Sequence, residues 1–262
     1  MVYNAIQMRE AIDKLIDRVK SHSFPDNRYY EAINQAQKII IDDRVEPLKV
    51  KKDYSVQSTE RLRNELRSLV RPTVTATIIS DTVSYPTDFY YLLLMQNTVN
   101  GVKAACKPLT YNEKGVLLRN PFKRPVSDET YYNENNSSWR ISLPVGAAFT
   151  LCELDYIKKP AVVSIGNENN KIEDTGTLVI GSSYTVYDEA EHNGNTYYEG
   201  SSFVAANPVL TSGTVILTSL ITDSDMPEYL HEEITRLAAA IMEGTVENYN
   251  KKQVLLSDNQ SS

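Results

Sequence analysis

Ile6, Ile12, Leu15, Ile16 and Val19 recur at three- and four-residue steps, with Arg9, Glu10, Asp13, Asp17 and Arg18 between them. That period predicts an amphipathic helix. The stretch Ser21 to Pro25 ends it, and Asp26 is placed to cap a second helix reaching about Arg44, with Tyr30, Ile33, Ala36, Ile40 and Ile41 on its apolar face and Pro47 closing it. Leu48 to Tyr54 reads as extended. A third helix is expected from about Ser58, carried by Leu62, Leu66, Leu69 and Val70 and terminated by Arg71-Pro72.

The period then changes. Val74 to Ile79 is rich in β-branched residues, Trp139, Ile141 and Leu143 alternate with Arg140 and Ser142, and Phe149 to Ile157 places Cys152, Leu154 and Tyr156 on one face with Glu153 and Asp155 on the other. Between these strands a short helix is expected at Asn112 to Leu118, then a Pro-containing loop at Asn120 to Pro125 and a polar, exposed loop at Ser127 to Ser138. After Pro160 come short β runs: Thr177 to Ile180, Tyr184 to Tyr187, Thr196 to Tyr198, Ser202 to Ala205 and Thr214 to Thr218, with Asn193-Gly194 as a hairpin turn. Helical spacing returns at Leu230, Ile234, Leu237, Ala238 and Ile241, behind the start signal Asp225-Met226-Pro227-Glu228, and is expected to continue to about Tyr249. Asn250 to Ser262 reads as a flexible polar tail.

A lone C-terminal amphipathic helix must bury its stripe, and the N-terminal helices offer the nearest apolar faces. The expected fold is therefore α+β, a discontinuous helical bundle of N-terminal helices plus the C-terminal helix, with antiparallel β insertions. Its expected parts are residues 1–72 with 227–262 as the bundle and tail, 73–160 as a β region, and 161–226 as a small inserted β unit and linker.

Composition narrows the class. The 262 residues carry 27 basic and 34 acidic side chains, a net charge of -7, and 41% hydrophobic residues, enough for a sizeable core and too many for wholesale disorder. The longest wholly apolar and aromatic run, Phe89 to Met95, is far below the ~20 residues of a membrane span, and Arg9, Glu10, Asp13, Lys14 and Asp17 within the first 20 positions argue against a secretory signal. Cys106 and Cys152, the two cysteines, lie in apolar segments and read as buried thiols. Tyrosine is in excess, 17 against five phenylalanines and one tryptophan, which suits a protein-contacting surface and equally a Tyr-rich β protein.

Candidate chemistry is sparse. His231-Glu232-Glu233-Ile234-Thr235 resembles the start of a zinc-protease helix, but threonine stands where the second ligand is needed, so His231 reads as a surface residue. His22 and His192 have no recognisable nucleophile nearby. Glu153 and Asp155 share a strand face, where solvation explains them better than acid–base chemistry. No catalytic residue, cofactor site or metal site is assigned. Arg63, Arg67 and Arg71, four residues apart on the expected third helix with Lys49, Lys51 and Lys52 before them, form the one basic stretch. A solvated helix face is the favoured reading; an interface or channel face is the other.

Five phrases occur in order along the chain: Tyr30-Glu31-Ala32-Ile33-Asn34-Gln35-Ala36-Gln37, Ser84-Tyr85-Pro86-Thr87-Asp88-Phe89-Tyr90, Asn120-Pro121-Phe122-Lys123-Arg124-Pro125, Leu154-Asp155-Tyr156-Ile157-Lys158-Lys159-Pro160, and Met226-Pro227-Glu228-Tyr229-Leu230-His231-Glu232-Glu233-Ile234. Together they resemble the tail adaptor or head–tail connector ring proteins of tailed double-stranded-DNA bacteriophages, most closely the ring proteins of crAss-like phages. The resemblance implies a non-enzymatic structural subunit of a homo-oligomeric ring, usually a dodecamer. Such a ring stacks between portal and tail proteins at the head–tail junction of the virion after assembly in the bacterial cytoplasm. Packaged DNA passes through it on ejection without sequence-specific binding, and no membrane is involved. The unit from about Ala161 to Leu220 resembles a small β domain inserted in phage tail and connector proteins. The competing reading is a ligand- or glycan-binding β module with a helical clamp, in which Tyr184, Tyr187, Tyr197, Tyr198 and Trp139 provide stacking surfaces. An enzyme using Glu153 and Asp155 is a third.

Overall fold

The computed structural model describes residues 3–16, 24–51, 56–110, 113–115, 120, 124–126, 128, 129–144, 146–147, 149–165 and 171–244, with residues 46–51 and 56–59 described by backbone alone. The chain divides into two compact units, Met1–Lys52 with Pro160–Ser262, and Asp53–Lys159.

The second unit is dominated by an eight-stranded sheet. After helix α3 (Val56–Glu65) come β1 (Val70–Thr75), β2 (Ile78–Ile79), β3 (Thr82–Ser84), β4 (Phe89–Val99), β5 (Val102–Pro108), β6 (Thr130–Asn135), β7 (Ser138–Ser142) and β8 (Phe149–Lys158). Their order across the sheet is β1-β8-β4-β5-β6-β7-β3-β2. Every pairing is antiparallel except β5 with β6, whose crossover holds a helical turn at Glu113–Gly115. A reciprocal capping box secures that turn: Thr110 N–H donates to Glu113 Oε2 at 3.0 Å, and Glu113 N–H to Thr110 Oγ1 at 3.3 Å.

The sheet's two outermost strands, β1 and β2, are consecutive in the chain, separated only by Ala76 and Thr77. Ala76 N–H donates to Cys152 C=O at 2.9 Å, and Ser84 N–H to Thr77 C=O at 3.4 Å. One bent segment thus lies along both ends of the sheet and curls it toward closure, which removes long open edges. Inside the curl lie Val83, Met95, Cys106, Trp139, Ile141, Cys152, Leu154 and Tyr156. Phe89 and Tyr85 extend this core, Trp139 lying 4.1 Å from Tyr85 and 4.9 Å from Phe89 between ring centroids.

The first unit contains α1 (Ala5–Ile16), α2 (Asp26–Lys51) and α4 (His231–Met242). Helix α4 packs on both α1 and α2, burying Ile234, Ala238 and Ala239 while α2 buries Ile33, Ala36, Ile40 and Ile41. The unit's β part comprises β9 (Lys171–Ile172), β10 (Ser183–Val186), β11 (Ala190–His192), β12 (Asn195–Tyr197), β13 (Ser202–Val204) and β14 (Val215–Leu217). Four of these form a sheet in the order β13-β10-β14-β9, and β11 pairs with β12. Asn193 and Gly194 join the latter two with φ of 55° and 75°, the left-handed pair a two-residue hairpin turn requires.

The fold is α+β as expected. Its description as a discontinuous helical bundle is corrected: the eight-stranded sheet is the largest element. The third helix, grouped by sequence with the first two, falls in the sheet's unit and stops at Glu65. Leu66 and Leu69 are still buried, but from a turn, and Val70-Arg71-Pro72 begins a strand. Proline's missing N–H costs nothing on the outermost strand of a sheet, so Arg71-Pro72 marks an edge and not a helix end. Conversely, α2 runs past Pro47 to Lys51, losing one intrahelical bond instead of breaking. The expected exposed loop at Ser127 to Ser138 is, in its described residues 128–138, mostly strand: Thr130, Tyr132 and Asn133 are buried in β6. The side chain of Asn133 donates to Leu109 C=O at 2.6 Å, so a polar composition here serves hydrogen bonding within the sheet. The last helix ends at Met242, with Gly244 left-handed at φ 71°, short of the expected end near Tyr249; the expected end of the first helix at Val19 and the tail from Asn250 lie outside the described residues.

Candidate functional site

The densest charged constellation lies in the first unit, around Asp26. This carboxylate stands in the first turn of α2, where the helix dipole favours an anion. Arg9 reaches it from α1, Nε lying 3.2 Å from Asp26 Oδ1. The ammonium of Lys171, in β9, and the hydroxyl of Tyr187, just after β10, both donate to it. The Tyr187 ring lies beneath both cations, with Arg9 Cζ 4.6 Å and Lys171 Nζ 3.9 Å from its centroid. On the other side Arg9 Nη1 lies 3.3 Å from Glu199 Oε1 and Nη2 3.7 Å from Asp13 Oδ2. Asp13 in turn accepts a hydrogen bond from Tyr29.

One guanidinium shared among three carboxylates cannot neutralise all of them. Burial raises the Asp26 pKa, but hydrogen bonds from Lys171 and Tyr187 and the charges of Lys171 and Arg9 outweigh it and hold the group below its ordinary value. Glu199 receives less. Burial, reinforced by Glu10, Asp188 and Asp13 against the single charge of Arg9, pushes its carboxyl up to about 7. The same burial, with the hydrogen bond to Asp26, raises Tyr187. Asp26 is therefore an ionised anchor surrounded by donors. It ties α1, α2 and the small β sheet together.

The contact between α1 and the sheet is close at Gly200. Its φ of +76° is left-handed, and a Cβ there would stand 2.4 Å from Gln7 Cγ. Asn4 Nδ2 donates to Gly200 C=O at 2.7 Å. Glycine is required on both counts.

Arg63, Arg67 and Arg71 do not share a helix face. Arg63 lies in the last turn of α3 and pairs with Asp155, Nη2 to Oδ2 at 3.2 Å. Arg67 is exposed in the turn after the helix, and Arg71 is exposed on β1 opposite Tyr156. The side chains of Lys49, Lys51 and Lys52 lie outside the described residues. Glu153 and Asp155 are engaged separately: Glu153 pairs with Lys103, and Asp155 also accepts from Thr73 N–H at 2.7 Å.

His231 is buried and not at the surface. Its Nδ1 accepts from Tyr3 N–H at 3.1 Å and its Nε2 lies 3.1 Å from Met226 C=O, so it joins the chain's start to the turn before α4. Burial lowers its pKa. His192 is buried as well, stacked on Phe203 at 4.9 Å, with Nε2 accepting from Ala206 N–H at 3.2 Å. His22 lies outside the described residues. Among the five aromatic residues proposed to stack a ligand, Trp139, Tyr184 and Tyr187 are buried, Tyr197 is half-buried against Phe203, and Tyr198 alone is largely exposed. Among the described residues no group of three or more His, Cys, Asp or Glu is arranged to hold a metal ion, and no helix is long and apolar enough to cross a membrane.

Sequence reading missed the Asp26 constellation because its members are up to 190 positions apart, Arg9 to Glu199. The one local signal was Asp26 at a helix start. Comparison with protein-family models and with curated proteins finds no match.

Proposed function

We propose that the chain is a structural subunit of a ring in the portal–tail connector of a tailed bacteriophage, joining the capsid portal to the tail and forming part of the conduit for double-stranded DNA. The observation that carries this reading is the ordered set of five connector-like phrases. Three of them fall on framework positions: Tyr30, Ile33, Ala36 and Gln37 are buried in α2, Tyr85 and Phe89 pack against Trp139 at tilted and edge-on angles, and Leu154, Tyr156 and Ile157 are buried in β8. A phrase that occupies the framework is tied to the fold and less free to arise by surface drift. The closing phrase contains the His231–Met226 contact. Pro121, Phe122 and Lys123 of the loop phrase lie outside the described residues.

Charge supports the reading. A net charge of -7 suits a conduit that must not retain DNA through its phosphates. The proposed assembly is a homo-oligomeric ring, a dodecamer by resemblance, contacting the portal or an adjacent ring on one side and tail proteins on the other. The role is non-enzymatic. Immunogold labelling of virions with antibody to this chain tests the location: label at the head–tail junction is expected, whereas label confined to fibres or released only from opened capsids overturns the proposal.

A further inference from the structure

Residues 160–226 contain nine acidic side chains and one basic one, Lys171, a net charge of -8, so this small segment accounts for the whole chain's -7. The acids are unevenly spread. No charged residue occurs from Thr175 to Tyr187 or from Gly200 to Thr222.

Those uncharged stretches meet at the outer end of the small sheet. Val204 pairs with Ser183 in the register of β13 on β10, Gly181 N–H donates to Ala205 C=O at 2.9 Å, and Leu178 N–H to Pro208 C=O at 2.7 Å. Val209 bridges Thr177. Four large apolar side chains are exposed here: Val179 at 65%, Ile180 at 62%, Val204 at 61% and Val209 at 52%. Single exposed valines are ordinary, but a cluster around one strand is not.

Strand β13 is also outermost, pairing only with β10 among the described residues. Val186 N–H bonds Ser201 C=O and Ala205 N–H bonds Ser182 C=O, so the odd-numbered residues of β13 face β10. By alternation the N–H and C=O groups of Ser202 and Val204 face outward. An edge with free backbone groups and flanking apolar side chains accepts an added strand.

The chemistry specifies the occupant: an extended segment with apolar side chains and a basic flank, to complement an acidic unit. Patch-to-patch pairing of two such units would bring two charges of -8 together and is disfavoured. The chain contains a segment of the required kind, Lys251-Lys252-Gln253-Val254-Leu255-Leu256, in its last twelve residues. We propose that β13 receives this segment from a second copy of the chain as an added strand. Edge and segment are different surfaces, so the contact is head-to-tail and propagates, and a suitable rotation closes it into a ring. The inference rests on the ring reading for that closure and supplies its subunit contact.

The test uses full-length chains. Val204→Lys places a charge on the edge, and Leu255→Lys disables the segment. A fluorescent peptide spanning residues 250–262 is titrated into the Leu255→Lys chain, whose own segment no longer competes. Saturable binding is expected, weakened about tenfold or more by adding Val204→Lys to the chain or Leu255→Lys to the peptide, and weakened by salt. Circular dichroism of each variant establishes that it is folded. Absent binding, or binding indifferent to both substitutions, overturns the proposal. Sedimentation of mixed chains then identifies the source of the segment. A one-to-one mixture of Val204→Lys and Leu255→Lys chains should form heterodimers, because one retains the segment and the other the edge. A mixture that stays monomeric while the peptide binds would show that the segment, held within its own chain, does not reach the edge of a second copy, and would overturn exchange between copies. Neither result depends on where the protein sits in a virion, so failure here and failure of the connector reading are separate outcomes.

Discussion

Arg9 Nη1 lies 3.3 Å from Glu199 Oε1, joining the first helix to a residue 190 positions later on the small β unit. The carboxylate shares Arg9 with Asp26 and Asp13 and keeps its proton to about pH 7. A carboxyl whose folded pKa exceeds its unfolded value of about 4.5 contributes stability at low pH and loses it as pH rises through the folded value. We expect up to about 3 kcal/mol of stability to disappear between about pH 4.5 and 7. Glu199→Gln, permanently neutral, should flatten that slope in thermal melts across the range; an unchanged slope would assign it to another group.

Asp26 has the opposite sign. Its folded pKa is lowered, so its contribution is present above the unfolded value and lost in more acidic solution. Asp26→Asn leaves Arg9 and Lys171 without their shared carboxylate, which should cost about 3 kcal/mol at neutral pH by chemical denaturation. A loss below about 0.5 kcal/mol would mean the cluster is solvated.

Gly200→Val combines a left-handed backbone with a collision against Gln7. A loss of about 2 kcal/mol or more is expected. Gly194→Ala also occupies a left-handed position, φ +75°, but with open space around it, and should cost only about 1 kcal/mol. Equal losses would remove the close approach as the reason for Gly200.

Trp139 is the only tryptophan and is fully buried in the curled sheet, with its indole N–H unpartnered among the described residues. Its emission should be blue-shifted in the folded protein and should report unfolding of the eight-stranded sheet. Trp139→Phe removes an unpaired polar group along with volume and should cost less than Trp139→Ala, for which about 3–5 kcal/mol is expected. Emission near that of free tryptophan would place the ring in water.

Arg63 differs from its two neighbours in having a buried-side partner. Arg63→Ala should destabilise the protein by about 1–2 kcal/mol through Asp155, while Arg67→Ala and Arg71→Ala, on exposed positions, should fall within about 0.5 kcal/mol of wild type. Denaturation of the three variants checks the order.

Where sequence periodicity matched local structure, it was informative. The apolar stripe Ile33, Ala36, Ile40 and Ile41 is buried on α2, Asn193-Gly194 makes the hairpin, and Cys152, Leu154 and Tyr156 face the core of β8. It failed where pairing partners decide the outcome. Leu66 and Leu69 keep helical spacing but are buried from a turn, because Val70 to Thr75 gains a ladder with β8. Thr130, Tyr132 and Asn133 lack an apolar strand pattern, and β5, β7 and the Asn133–Leu109 bond hold them in place. The Asp26 constellation was illegible for a related reason: its charges converge only after α1, α2 and the small sheet have packed, and no local spacing encodes that meeting.

The most direct test of the connector reading is a symmetry-resolved electron-microscopy reconstruction of native virions at the head–tail junction. A closed ring of repeated density around the DNA channel is expected, into which the eight-stranded sheet unit and the helix-plus-small-sheet unit each fit. A junction whose densities fit neither unit, in particles that contain this protein elsewhere or lack it altogether, would contradict the connector reading.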